Sequence, residues 1–301
     1  MNARYPRRAF LTRLAQCATA ALLPGLPACV TPRPPPGGPV GIQLYAVKDE
    51  LRTHPETTLA AIRRIGFGEV ETAGFGTLTA QQFRRLLDDA GLACPSAHLQ
   101  FDDPDAAFEQ AHALGARYAT SGSLREALAS AGGGQRTSPP ARGMSLDEAR
   151  RTAELANRIG EQARRAELQY VYHNHDFEFA EQPGGAIGYD LLLSETDPGL
   201  VQFEIDCGWM VVGGRDPREY FARHPGRFPM VHVKDFLPAA LHGGAHPGAE
   251  LGHGMIDYGP IFAAAEKAGL RHYFAEQEGP FTRMSQIEAA RQAYDYLRKL
   301  R

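Results

Sequence analysis

The stretch LDEARRTAELANRIGEQARRAELQYVYHNH, Leu146 to His175, contains the unit from which the fold can be read. Leu146–Arg165 has the apolar spacing of an amphipathic helix, and Ser145 followed by Glu148 looks like a capping box at its start. Gln169–His175 is a short, aromatic, strand-like run that ends in two histidines. The same alternation extends along the chain from Val40. Strand-like runs fall at Val40–Tyr45, Glu69–Thr72, Ala93–Leu99, Arg117–Thr120, Val201–Asp206, Met230–Lys234 and His272–Glu276. Helical patterns separate them at Pro55–Ile65, Ala80–Ala90, Asp105–Leu114, Pro217–His224, Tyr258–Ala268 and Arg283–Lys299. Gly66, Gly91, Gly115 and Gly269 each follow a helical run, where a left-handed cap closes a helix before the next strand. Eight strands alternating with helices imply parallel βαβ units. The count of eight and the lack of a Gly-x-Gly-x-x-Gly turn after the first strand favour a closed (β/α)8 barrel over an open sheet. The Gly/Ser/Pro-rich segment from Ser121 to Gly143 reads as a long loop after strand four, so residues 40–301 form one α/β domain.

The first 29 residues differ from the rest. Arg4, Arg7, Arg8 and Arg13 precede an apolar run from Ala15 to Leu26, the layout of a signal peptide. A membrane span needs about 20 apolar residues, and this run is shorter and broken by Pro24. Arg7-Arg8-Ala9-Phe10-Leu11 resembles a twin-arginine export motif. Leu26-Pro27-Ala28-Cys29 resembles a lipoprotein cleavage box that would place a lipid anchor on Cys29. Residues 30–39, nearly all Pro and Gly, read as an extended tether. The expected location is therefore outside the cytoplasm, periplasmic or membrane-anchored. The whole chain has 32 basic and 35 acidic residues; without the four N-terminal arginines the balance is 28 against 35, or −7. No basic block remains for a nucleic-acid partner. Cys94 and Cys207, in apolar runs, are expected as buried free thiols.

In such a barrel the chemistry gathers at the C-terminal ends of the strands. Those ends carry Gln43, Glu71, His98, His173 with His175, Glu204 with Asp206, His232 with Lys234, and Glu276 with Glu278. A packed core would place Val, Ile and Leu there, and buried charge is costly unless it is paired or bound to metal. Alternation puts His173 with His175, Glu204 with Asp206, and His232 with Lys234 on common faces. One residue from each of four neighbouring strands then makes a nitrogen/oxygen set suited to a divalent ion, with Mn, Fe, Co and Zn all open.

The segments Tyr172–Phe179, Glu204–Asp206 with Trp209, Val231–Asp235, Gly252-His253-Gly254 with Asp257, and Glu276-Gln277 resemble the sugar phosphate isomerase/epimerase superfamily of xylose isomerase-like TIM barrels. Gly41-Ile42-Gln43-Leu44-Tyr45 fits the same pattern. The resemblance implies a metal held by Asp206, His232, Glu276 and a residue of strand five. His173 stands there in place of the glutamate usual in the epimerases. It also implies His175 as general acid/base, Lys234 beside an enolate oxygen, and Glu276 as a ligand that can also take a proton. Gln43, Glu71, His98, Glu178 and Trp209 are the expected substrate contacts.

The expected activity is that of a metal-dependent isomerase, epimerase or lyase acting on a sugar or keto-sugar through a metal-bound enediolate. Two alternatives stay open: a non-catalytic exported sugar-binding barrel, and an endonuclease IV-like metal-dependent nuclease. The acidic chain and the absence of extra metal-ligand histidine clusters argue against the nuclease. Oligomeric state is left open by the sequence.

Overall fold

The computed structural model describes residues 38–125, 127–128, 143–242, 247–279, 281 and 283–300. The signal-like segment with Cys29, and the tether up to residue 37, lie outside the described residues. Eight strands close into a barrel: β1 (Gly41–Gln43), β2 (Glu69–Ala73), β3 (Ala93–His98), β4 (Tyr118–Ser121), β5 (Gln169–His173), β6 (Val201–Asp206), β7 (Met230–Val233) and β8 (His272–Ala275). Neighbours pair in parallel in sequence order, and β8 closes the ring against β1 with Gly41 opposite Phe274. The long helices are α2 (Pro55–Ile65), α3 (Ala80–Ala90), α4 (Pro104–Leu114), α5 (Leu146–Arg165), α9 (Tyr258–Ala268) and α10 (Gln286–Leu297), with α8 (Pro217–Arg223) shorter. Apolar stripes on these helices cover the outside of the barrel, as Leu59, Ile62 and Ile65 do on α2. Among the described residues, no helix is long and apolar enough to cross a membrane.

Gly91, Gly115 and Gly269 close their helices at φ 70°, 70° and 99° in the left-handed region, whereas Gly66 turns with φ 129° outside it. Ser145 caps α5 by accepting from Glu148 N at 3.1 Å. The expected capping box is only half made, because the Glu148 carboxylate binds Arg125 instead of turning back. Three short helices appear where the sequence pattern gave none: α1 (Lys48–Thr53), α6 (Gly188–Glu195) and α7 (Cys207–Val212). α7 is nucleated by tertiary position. Asp206, fixed at the end of β6, accepts from Trp209 N at 2.8 Å as its N-cap. The strand and helix ends also move inward from the expected limits: β5 stops at His173, β7 at Val233, and α10 starts at Gln286.

The barrel interior changes character along its axis. Tyr118, Val171, Met230 and Phe274, from β4, β5, β7 and β8, form a buried apolar plug. Gly41 makes room for it, since a Cβ there would lie 2.5 Å from the Phe274 ring. Two residues further along the strands, the inward positions become Thr120, His173 and His232, all buried. Period-two alternation thus carries each strand from plug to polar centre in one step. Cys94 and Cys207 are buried free thiols.

Candidate metal and substrate site

Two carboxylates and three imidazoles meet above the plug. Glu204 Oε2 lies 3.0 Å from His98 Nε2, 3.1 Å from His173 Nδ1 and 3.1 Å from His232 Nε2. Glu71 Oε2 lies 2.6 Å from His232 Nε2 and 3.2 Å from His98 Nε2, and accepts from Gln43 Nε2 at 2.8 Å. Ser96 Oγ donates to the other Glu71 oxygen. On its opposite edge, His232 Nδ1 lies 2.9 Å from Glu276 Oε2 and 4.0 Å from Asp206 Oδ2. Lys234 Nζ completes the centre, 3.1 Å from Asp206, 3.0 Å from Glu276 and 2.6 Å from Glu278.

Burial and charge oppose one another throughout this group. Burial pushes the Glu204 carboxyl up, but His232, His173 and His98 outweigh it and hold the group well below the ordinary glutamate range. Burial likewise raises Glu276, while Lys234 and His232 outweigh it and keep it well below. For Asp206 burial prevails over Lys234, and its carboxyl is raised. Burial lowers His232, yet Glu204 and Glu71 lift it well above the usual imidazole range. His173 is lowered well below that range, first by burial and then by the neighbouring His232.

The expected ligands do not all fall together. Asp206, His232 and Glu276 bring their ligand atoms within 4.8 Å of one another. His173 belongs to a second group, with His98, Glu204 and His232, that meets the same distance. His232 faces the first group with Nδ1 and the second with Nε2. The second group also corrects the sequence expectation that no extra histidine cluster exists; its members come from β3, β5, β6 and β7, so no local spacing could show it. The residues present fit a cation. Five carboxylates (Glu71, Glu204, Asp206, Glu276 and Glu278) converge on one lysine and three imidazoles, an excess of negative charge in a largely buried place. Asp206 Oδ2 and Glu204 Oε1 are buried and accept no well-directed hydrogen bond among the described residues.

A cavity of about 300 Å³ opens on this centre, lined by Gln43, Tyr45, His98, His173, His175, Trp209, His232, Lys234, Glu276 and Glu278, with Ala73 and Gly122. Gln43, His98 and Trp209 therefore face the space where a substrate would lie. Glu71 and Glu178, also expected as substrate contacts, do not line it and are fully buried. Glu71 lies beneath the imidazoles. Glu178 sits behind the strand-five turn, accepting from Tyr172 Oη at 2.9 Å and from His175 N at 2.9 Å, and burial pushes it up to about 8.

His175 reaches the cavity by a turn, not by the strand alternation the sequence suggested. Asn174 makes the turn possible: its amide oxygen accepts from Asp206 N at 3.1 Å and its amide nitrogen donates to Asp206 O at 3.3 Å, so its side chain continues the pairing of β5 with β6. Burial and the Lys234 charge hold His175 down to about 3, and its buried Nδ1 has no hydrogen-bond partner among the described residues. Glu278, noted at the end of its strand, and Asn174 were given no role from the sequence. The only local signal for Glu278 is its place two residues after Glu276.

The Gly252-His253-Gly254 motif serves the loop after β7. Asp235 accepts four backbone N–H groups, from Phe236 (3.0 Å), Gly252 (3.2 Å), Gly254 (2.9 Å) and Ile256 (3.2 Å). A Cβ at Gly254 would run into the Asp235 carboxylate and the Phe236 carbonyl. This anchor fixes the backbone next to Lys234, whose N–H and C=O are also both held by Tyr258 Oη.

Residues 59–300 match the family described as the xylose isomerase-like TIM barrel. An inosose dehydratase of Lacticaseibacillus casei is 31% identical over 167 residues, 50% of this chain and 54% of that protein. One from Geobacillus thermodenitrificans is 30% identical over 164 residues, 48% of this chain and 51% of that protein. The chain thus spans about half the length of these curated relatives. Among solved structures, a sugar phosphate isomerase/epimerase from Parabacteroides distasonis superposes with a TM-score of 0.70 at 26% identity, covering 86% of this chain and 92% of that one.

Proposed function

Since the chain belongs to the xylose isomerase-like TIM-barrel family, we propose that it is a divalent-metal-dependent lyase that dehydrates a keto-sugar, through an enediolate shared with isomerase and epimerase chemistry. The observation that carries this reading is the Asp206, His232 and Glu276 triad with Lys234 at its edge, opening on a cavity of sugar-sized volume. The inosose dehydratase relatives support elimination over simple proton exchange. A metal held by the triad supplies Lewis-acid polarisation of neighbouring carbonyl and hydroxyl oxygens and acidifies the adjacent C–H.

The chain's own residues would do the rest. His175, which lines the cavity as a neutral imidazole at physiological pH, is the residue placed to take the proton from the carbon next to the carbonyl. Lys234, held protonated by three carboxylates that outweigh its burial, stabilises the negative charge developing on oxygen. The β C–O bond then breaks. The leaving hydroxide takes a proton from His98, which lines the cavity and is lifted above the usual imidazole range by Glu71 and Glu204 against its burial. Trp209, with its ring near His175 and Phe236, supplies an apolar wall for the sugar face.

The test is incubation of the metal-loaded protein with a panel of keto-sugars in heavy water. Solvent deuterium at the carbon next to the carbonyl of recovered keto-sugar, or a conjugated enone product, is the expected result. Absence of both with every sugar would refute the reading. A nuclease reading gains one observation, the second histidine group, and is opposed by the acidic chain. Salt-sensitive binding of abasic DNA by the metal-loaded protein would favour it. The Arg7-Arg8 pair and the Cys29 box support export as a further part of this reading, to be checked by fractionation of the native host.

A further inference from the structure

The cavity over the metal triad continues into a larger groove. Tyr45, Ala73, His98 and Gly122 line both, and the groove, about 650 Å³, has more than twice the volume of the catalytic cavity. It runs over the ends of β1 to β4 toward the start of α4. Leu99, Gln100, Asp102 and Gly122 then line a third recess of about 220 Å³ beyond it. Gly122 borders all three spaces, and a Cβ there would lie 3.7 Å from His175 Cε1. Gly122 thus stands beside His175 at the junction of the reacting centre and the groove.

The lining states what the groove would hold. Tyr45, Phe75 and Ala106 give apolar surface, while Gln100, Asp102 and Gln110 supply amide and carboxylate groups. None of those three polar side chains is hydrogen-bonded to another described residue. Asp103, which also lines the groove, is already engaged as the N-cap of α4. Among the described residues no lysine or arginine lines the groove, whose titratable lining is His98, Tyr45 and two aspartates. Phosphate or carboxylate groups would find no counter-charge there. An apolar wall edged by neutral and acidic hydrogen-bonding groups matches a sugar ring, which has C–H faces and a hydroxyl rim.

Resting on the keto-sugar reading above, we infer that the substrate is a neutral glycoside: its oxidised ring lies at the metal triad, and a second, unphosphorylated pyranose ring lies in the groove beside Tyr45, Gln100, Asp102 and Gln110. A polar subsite that hydrogen-bonds hydroxyl groups discriminates strongly against ligands that lack them.

Calorimetry on the manganese-loaded protein tests this without requiring turnover. The probes are methyl glycosides of glucose, galactose and mannose, the matching disaccharides, and those disaccharides phosphorylated on the ring distal to the reacting one. The expected result is that at least one disaccharide binds about tenfold more tightly than its methyl glycoside, that distal phosphorylation removes the gain, and that Ala106→Trp brings the ratio to about one. Equal affinity for one-ring and two-ring ligands throughout the panel, absence of binding by both included, would overturn the inference, as would tighter binding of the phosphorylated form. Two-ring preference without any deuterium exchange would instead fault the proposed reaction and leave the groove assignment standing.

Discussion

Glu178→Gln isolates one buried carboxyl that controls the position of His175. The Glu178 side chain is fully buried, and burial lifts it from the ordinary 4.5 to about 8 in spite of hydrogen bonds from the His175 backbone and Tyr172. The native state therefore binds more protons than the unfolded chain between these two values. Its contribution to stability is fully present below pH 4.5 and is lost as pH rises through 8. At about 1.4 kcal/mol per pH unit, the loss is on the order of 3–5 kcal/mol. Glutamine has the same shape and keeps both contacts: its carbonyl accepts from His175 N, and its amide donates to the Tyr172 oxygen. The variant should match the wild type near pH 5 and pull ahead of it by pH 8 to 9. Urea denaturation of both proteins in steps from pH 5 to 9 measures the difference directly. Stability curves that run parallel across this range would refute the assignment of a raised carboxyl to Glu178.

The other perturbations concern the metal and the loop beside it. Asp206→Asn keeps the cap on α7 but removes a charged ligand, so affinity for manganese in a chelator competition should fall by at least about 100-fold, the upper range for loss of a merely supporting partner; retention of stoichiometric metal would contradict the triad. Lys234→Met leaves Asp206, Glu276 and Glu278 without their shared cation and should cost about 3–5 kcal/mol in metal-free protein, as breaking a buried ion pair does. Manganese should recover much of that cost in a thermal melt, and an equal loss with and without metal would sink the charge-balance argument. Asp235→Ala strips four N–H groups of their acceptor, the buried Ile256 among them, and should lower stability by about 3 kcal/mol; an unchanged urea midpoint would show that the loop is held by other means.

Much of the barrel could be read from periodicity. α2, α3 and α9 begin and end where the apolar spacing and the following glycine place them, and α5 where its apolar spacing does, because helix limits depend on neighbours within a few residues. The strand ends were less legible. His175 continues the β5 pattern in sequence, yet the chain turns at Asn174, because that side chain finds Asp206 on the adjacent strand. α7 escaped notice for the same reason: its cap is a residue whose position is set by the barrel.

The site divides along the same line. That His, Asp and Glu end four successive strands is a property of the sequence, as is the period that turns them inward, and this alone pointed to a buried charged centre at the ends of β5 to β8. Which atoms share that centre is decided by closure of the barrel. Closure brings Glu71 from β2 to within 2.6 Å of His232 on β7, 161 residues away, and groups His173 with His98 and Glu204 apart from Asp206 and Glu276. It also turns Glu71 and Glu178 from expected substrate contacts into buried partners of the histidines. Local spacing fixes which face of a strand a side chain takes, whereas distances across a barrel depend on the stagger and tilt of all eight strands together.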